Sequence, residues 1–160
     1  MPTNRMKMFM TAAMAFIALI VAIPVHAQST GASLLHEIGD NMTSHPEYTA
    51  VVGTNTVLIK DVTTGATLFV VKETNAQTIT LSSVVATVHS LTPDSKARLL
   101  RRISQFNFSS PVGTLWYDNA SGNVTMEHHL NPKMVSQSGI MNVAVRFGDA
   151  VRAQQMALLQ

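Results

Sequence analysis

The sequence predicts an α+β domain preceded by a segment for export. Three stretches carry apolar residues at the spacing of a helix, and five runs are rich in the β-branched residues that favour strands. Their order is one helix, three strands, a second helix, two strands and a last helix. With 160 residues, the chain is long enough for one such domain and too short for two.

The first helix is predicted between Ser33 and Ser44. Its apolar residues follow helical spacing, and they are Leu34, Leu35, Ile38 and Met42. The polar run around His45 and Pro46 is expected to end this helix, because proline disfavours a helical conformation in the residue before it.

Three strands are predicted next, at residues 56–62, 67–73 and 78–88. A turn that contains Gly65 joins the first two, and the polar residues 74–77 join the second to the third. Short turns of this composition between β-branched runs are typical of hairpins. We therefore expect a three-stranded antiparallel meander.

The second helix has the clearest start in the chain. Thr92 can cap it, Pro93 suits its first position and Asp94 lies in its first turn. Its predicted core-facing stripe consists of Leu99, Leu100, Ile103 and Phe106. We expect the helix to end near Asn107, before Pro111.

A β-hairpin and a C-terminal helix complete the predicted domain. The hairpin strands are expected at residues 112–118 and 124–130, with Gly122 in the loop between them. The last helix is expected over residues 136–156, with an apolar face of Ile140, Val143, Phe147 and Val151. Gly139 and Gly148 disfavour a helix, so the sequence defines the ends of this helix only loosely.

Residues 1–27 have the three parts of a secretory signal peptide. Arg5 and Lys7 precede an apolar run, and small residues stand at the two recognition positions of Val25-His26-Ala27. Cleavage there would leave a single domain of residues 28–160 in the periplasm or outside the cell. Because the apolar run is also long enough to span a bilayer, an uncleaved N-terminal anchor is the alternative.

The basic charge of the chain comes from this first segment. The full chain has a formal net charge of +2, and loss of Arg5 and Lys7 would leave nine basic and nine acidic residues. A domain without net charge lacks the basic surface that nucleic acids require. We expect no nucleic-acid partner and, after cleavage, no membrane partner. The absence of cysteine excludes disulfides, thiolate zinc sites and cysteine nucleophiles.

Glu127, His128 and His129 form the chemically richest cluster of the sequence. In a strand, His128 would face away from the other two, so only Glu127 and His129 could share a metal ion. Further ligands would have to come from His36, His45 or His89. Since the spacing matches no zinc pattern and no catalytic motif is present, we expect no catalytic residue, no metal site and no cofactor.

Two surfaces could bind a partner. The second helix has a basic face, which is either solvated or receives an acidic partner or anionic lipid, and it consists of Lys96, Arg98, Arg101 and Arg102. Trp116 and Tyr117 are adjacent in a strand, so one ring should face the core and the other the open side of the sheet. An aromatic residue on an open face is typical of protein interfaces.

Three consecutive stretches in the second half of the domain form a pattern. A helix that ends in Ile-x-x-x-Asn, from Ile103 to Asn107, leads into a strand over residues 112–118 of the pattern small-Gly-x-aromatic-x-Asp. A turn at Gly122 then leads to a return strand, residues 124–127, that is similar to Val-x-Leu-Glu. These stretches resemble the YbjN-like branch of the type III secretion chaperone-like fold, which has the same order of elements, and the resemblance covers most of the predicted domain.

This resemblance implies a non-catalytic module that binds protein, often as a homodimer through its sheet and a helix. The export signal and the neutral domain depart from the cytoplasmic, acidic secretion chaperones. The expected role is therefore binding of a protein partner, or of itself, outside the cytoplasm through the sheet and the amphipathic helices. The alternative is a metal- or small-ligand-binding periplasmic protein or enzyme that uses Glu127 and His129.

Overall fold

The computed structural model describes residues 31–75 and 77–158. The predicted signal peptide, residues 1–27, lies outside these residues, as does the predicted start of the domain at Gln28. Cleavage and its alternative, an N-terminal anchor, therefore stay predictions. Among the described helices, none is long and apolar enough to cross a bilayer.

The described chain folds into an α+β domain, as predicted. The helices are α1 (Gly31–Thr43), α2 (Pro93–Ser109) and α3 (Gln137–Leu158). The strands are β1 (Tyr48–Val52), β2 (Thr56–Asp61), β3 (Thr67–Asn75), β4 (Thr78–Thr87), β5 (Thr114–Tyr117) and β6 (Asn123–Leu130). The three predicted helices and five predicted strands are all present, with ends that differ by a few residues.

The meander has four strands rather than the predicted three, because β1 precedes it. β1 has five residues, and its alternation of side chains is too short to be distinguished from a loop by sequence. Pairing stabilises it: the register with β2 runs from Tyr48 opposite Asp61 to Val52 opposite Val57. Tertiary context thus supplies the strand that local preference does not predict.

All six strands form one antiparallel sheet in the order β1-β2-β3-β4-β6-β5. The chain leaves β4, passes through α2 and enters β5 at the far edge of the sheet. β6 then returns between β5 and β4. The two edges of the sheet are therefore β1 and β5.

The core lies between the sheet and the three helices, which pack on one face of it. Alternate strand residues face this core, and the most buried of them include Val57, Ile59, Phe69, Val71, Leu81 and Met126. The rings of Phe69 and Phe147 meet edge to face, with centroids 5.3 Å apart. This contact places α3 across the middle of the sheet.

Gly148 allows that close approach of α3. A Cβ atom at this position would lie 2.9 Å from Tyr48 Oη and 3.2 Å from Phe69 Cε1. The residue that weakens α3 as an isolated helix is therefore required by its packing on β1 and β3.

Polar contacts between α3 and the first two strands surround Gly148. Arg152 Nη2 lies 2.7 Å from Asp61 Oδ2, and the guanidinium lies over the Tyr48 ring at 4.4 Å. Tyr48 donates a hydrogen bond of 3.0 Å to Asp149. Burial raises the pKa of Tyr48, and the backbone N–H of Thr64 together with Arg152 lowers the pKa of Asp61. The tyrosine is therefore neutral and the aspartate charged near neutral pH.

Helix α2 begins as predicted, with the Thr92 hydroxyl accepting a bond of 3.2 Å from the backbone N–H of Ser95. Leu99 and Ile103 are buried, but Leu100 is 45% exposed, so its predicted place on the core-facing stripe is wrong. Within the sheet, α2 contacts mainly β5. Because this contact is narrow, it needs fewer buried apolar residues than the four of the predicted stripe.

Asn107, near the end of α2, closes the outer edge of β5. Its Nδ2 donates to the Leu115 carbonyl at 2.9 Å, and its Oδ1 accepts from the Leu115 N–H at 2.7 Å. The side-chain amide thus takes the place that a neighbouring strand would occupy.

Replacement of Gly113 by alanine should destabilise the protein more than the same change at Gly65. Both residues have positive φ, +79° and +69°, so each alanine costs about 1–2 kcal/mol in backbone strain. A Cβ at position 113 would also lie 2.6 Å from Met126 Cε, whereas one at position 65 meets nothing within 4 Å. We expect the free energy of unfolding, measured in urea, to fall by roughly 1–3 kcal/mol more for Gly113→Ala. Equal losses would contradict this packing.

Candidate functional site

One face of the sheet is not covered by any described helix, and we call it the open face. The register places one residue of each strand in a row across it, in the order Val51, Leu58, Val70, Ser82, Glu127 and Thr114. The row on one side contains Lys72, Thr80 and His129. The row on the other side contains Val84, Thr125 and Trp116.

Three apolar side chains on the open face are strongly exposed. Val51 is 50% exposed, Val84 51% and Trp116 44%. Much of the surface between them consists of threonine and serine, and the central row carries a single charged residue, Glu127. The open face therefore presents exposed apolar side chains among hydroxyl groups, with Lys60, Lys72 and Glu127 as its charged residues. Apolar side chains exposed on one face in this way are a feature of protein-binding surfaces.

The structure separates Trp116 and Tyr117 as the alternation of a strand requires. Trp116 lies on the open face opposite Thr125, whose side chain is buried although no helix covers it. Tyr117 packs against the core, and the Lys96 ammonium lies 5.9 Å from the centre of its ring. The prediction that one ring faces the core and the other the open side is confirmed.

Glu127 and His129 share the open face, as predicted. Glu127 Oε2 lies 3.9 Å from His129 Nε2, and the two side chains are 33% and 62% exposed. His129 Nδ1 lies 3.0 Å from the Thr80 hydroxyl, which in turn lies 3.0 Å from the Thr74 hydroxyl. The histidine is thus oriented by a threonine on the neighbouring strand.

The pair does not extend to a metal site within residues 31–75 and 77–158. No group of three or more histidine, aspartate or glutamate side chains comes together there. The third ligand that the alternative hypothesis needed from His36, His45 or His89 is therefore not supplied by the described structure. Glu127 and His129 are also too open to water to form an enclosed reaction site.

His128 lies on the opposite, core-facing side of β6, opposite Leu81. Its Nδ1 accepts a hydrogen bond of 3.1 Å from the backbone N–H of Gly113, so its proton is placed on Nε2. Burial, and to a smaller extent the neighbouring His129, lower the pKa of His128 below its ordinary value. This histidine serves the fold as a neutral acceptor at the start of β5.

The basic residues of α2 make individual contacts and do not converge on one point. Lys96 donates to Asn119 Oδ1 at 2.7 Å, Arg98 to Ser95 at 3.2 Å, and Arg102 to the carbonyl of Ala157 at 3.0 Å. The three arginines are exposed. These contacts are typical of a solvated outer face, the first of the two interpretations of this stripe.

Sequence reasoning missed Val51 and Val84 as members of the open face. Val51 belongs to the unpredicted strand β1, and Val84 precedes a shift of register between Val84 and Ala86. The alternation of β4 nevertheless runs through Val84 to the buried Val85, and the polar Ser83 at a core-facing position obscures it in the sequence. Helix α2 carries two more exposed apolar residues, Leu100 and Phe108, at 45% and 95%. In β4, the alternation of polar and apolar residues before Ser83 does indicate which residues lie on the open face.

Comparisons with known proteins give likenesses of fold. No protein-family model and no curated protein matches the chain. It is similar to a chain of the heterodimeric ExoU-SpcU complex from the type III secretion system of Pseudomonas aeruginosa, with a TM-score of 0.47 and 13% identity over 78% of this chain and 93% of that one. It is also similar to a chain of the Yersinia pestis type III secretion chaperone SycH in complex with a stable fragment of YscM2, with a TM-score of 0.47 and 16% identity over 78% and 99%. Membership of the YbjN-like branch stays a prediction.

Replacement of His128 by asparagine should reduce the pH dependence of stability near neutrality. Because the pKa of His128 is lower in the folded protein than in the unfolded chain, the unfolded chain binds more protons in this range. Stability should therefore fall as the pH drops from about 7.5 through about 6.5 and level off below the folded pKa. In His128→Asn, the free energy of unfolding, measured by urea titration, should fall less over the same pH range.

The matched control is His129→Asn, which removes the exposed neighbour on the open face. We expect this variant to keep most of the slope of the wild type. An unchanged slope in His128→Asn would contradict the role of His128 as a buried neutral acceptor.

Proposed function

We propose that this protein is an exported, non-catalytic protein-interaction module that binds its partner through the open face of the sheet. The observation that carries the proposal is the set of exposed apolar side chains on that face, Val51, Val84 and Trp116. Removing such side chains from water is the main driving force of protein association.

The chemistry of the open face supports a protein rather than a charged ligand as the partner. The two rows that contain Val70 and Trp116 are largely valine, leucine, threonine and serine, with Glu127 as their single charged residue and Trp116 as the aromatic residue. Depletion of charge and the presence of an aromatic anchor are features of the buried centre of protein interfaces. Trp116, beside the buried Thr125, is the residue that we expect to contribute most to binding.

The open shape of the face also supports binding over catalysis. Glu127 and His129 are the reactive pair on it, and both are accessible to bulk water. Catalytic groups act most strongly where water is excluded and where several groups converge. In this proposal Glu127 and His129 provide polar contacts to a partner. These contacts lie next to Trp116, on the side where Thr114 lies.

Export is supported by the sequence of residues 1–27, and we predict that the mature protein begins at Gln28. Expression of the full-length gene in a bacterial host should give a periplasmic product whose intact mass corresponds to residues 28–160. A product that keeps residues 1–27 and fractionates with the membrane would support the anchor instead.

Photo-crosslinking tests the binding surface. A photoreactive amino acid at Val84 lies on the open face, and matched positions at Ser104 and Ala153 are exposed on α2 and α3. We expect a discrete crosslinked protein for position 84 and much weaker products for the other two. Crosslinks at position 104 or 153 alone would reject the open face as the binding surface.

The identified partner then allows affinity to be measured by calorimetry. Trp116→Ala should weaken binding by at least about tenfold, as loss of an aromatic anchor does. Ala153→Lys, on the helical side, should leave the affinity unchanged. An unaltered affinity of Trp116→Ala would remove the tryptophan from the interface.

A further inference from the structure

The outer edge of β1 carries backbone groups that no described residue pairs. Two hydrogen bonds bracket the pairing of β1 with β2: Val62 N–H to Glu47 O at 3.1 Å and Gly53 N–H to Thr56 O at 2.7 Å. Antiparallel strands alternate between residues that bond to the neighbour and residues that do not. Counting inward from either bond, Val51 bonds to β2, while the N–H and C=O groups of Ala50 and Val52 point away from the sheet. Tyr48 is the third outward residue, and its N–H already bonds to the carbonyl of His45 at 3.1 Å.

The two edges of the sheet differ in their protection. At β5, Asn107 bonds to both backbone groups of Leu115 and so blocks the approach of another strand. At β1, the sequence Tyr48 to Val52 contains no charge and no proline, and its register with β2 shows no bulge. Charge, proline and bulges are three devices by which edge strands avoid pairing, and β1 has none of these three.

We infer that β1 is a self-pairing edge, which joins antiparallel to β1 of a second copy of this chain. A twofold axis through Val51 sets Ala50 of one copy opposite Val52 of the other. Both outward residues of each strand then exchange N–H and C=O bonds with the partner, which gives four main-chain hydrogen bonds in all. The sheets of the two copies become one continuous sheet.

The side chains at the axis fit this pairing. Val51 and its copy form a non-hydrogen-bonded pair, in which the Cα atoms are about 4.5 Å apart and the side chains touch. Val51 is 50% exposed in the single chain, so the pairing covers an apolar side chain as well as satisfying backbone groups. Thr49 is then opposite Gly53, which has no side chain to obstruct it.

A second copy suits this edge because the edge is complementary to itself. Its two outward residues are separated by one residue, so the same strand turned about the axis matches both without a change of register. The uncharged strand also has no repulsion to overcome when it meets its copy. The pairing lies in the plane of the sheet and covers Val51 at the margin of the open face, but it leaves Val84 and Trp116 accessible, so it does not depend on the proposed function.

The oligomeric state of the purified product of the full-length gene tests this inference. Because the contact is short, we expect a reversible dimer with a dissociation constant on the order of tens of micromolar to a millimolar. Sedimentation equilibrium at protein concentrations across that range should detect the dimer. Val51→Lys should weaken the dimer at least about tenfold, since like charges would stand opposite each other at the axis.

Val84→Lys is the matched control, because Val84 is an equally exposed valine on the open face of an interior strand, at 51% against 50% for Val51. It should leave the dimer unchanged. Dissociation by Val84→Lys and not by Val51→Lys would overturn the edge pairing and point to association through the open face. A monomer at every concentration would also overturn it, including the case in which residues 1–30 occupy the β1 edge.

Single cysteines give a second measurement that does not depend on a weakened fold. The chain has no cysteine, and Cα atoms in a non-hydrogen-bonded pair lie within the range of about 4.4–6.8 Å that a disulfide requires. Under mild oxidation, Val51→Cys should give a covalent dimer that reduction reverses, and Val84→Cys should stay largely monomeric. Equal crosslinking of the two variants would contradict a twofold axis at Val51.

Discussion

The structure depends on one constraint, which is that the helices cover one face of a six-stranded sheet. Burial of alternate strand residues against α1, α2 and α3 supplies the core, with the Phe69 and Phe147 contact at its centre. Because side chains alternate along each strand, the same register that fills the core also fixes the opposite face. The rows that contain Val70 and Trp116 are therefore a direct consequence of how the core is packed.

Polar contacts fix this arrangement at both sides of the sheet. Arg152 bonds to Asp61 and lies over the Tyr48 ring, so α3 is fixed to the two strands at one side of the sheet. Asn107 has the corresponding place at the other side, where α2 meets β5. His128 adds a third contact of this kind at Gly113. Each of these groups contacts a strand near its end, where a sheet would otherwise fray.

The sequence predicts much of this fold because local signals agree with tertiary packing. The start of α2 follows from Thr92, Pro93 and Asp94, and the strands follow from β-branched runs between turn residues. Strand β1 could not be predicted, since five residues give no reliable period and pairing supplies its stability. Alternation alone separates Trp116 from Tyr117, whereas the bulge beside Val84 and the two bonds of Asn107 depend on contacts distant in sequence. The sequence therefore predicts that the sheet has an open face with an aromatic residue on it, but it does not predict which other residues belong to that face.

The amide of Asn107 has a consequence for how large an assembly of this chain can grow. A sheet with two usable edges can add copies at both ends and extend into a fibre, which is the hazard of exposed strands. Here both outward backbone groups of Leu115, in the strand beside Asn107, are already occupied, which obstructs pairing at that end of the sheet. An assembly built through the other end closes on itself once two copies have met, because a twofold contact leaves no further edge to extend. A single asparagine thus favours closed assemblies of the chain over polymerisation through this edge.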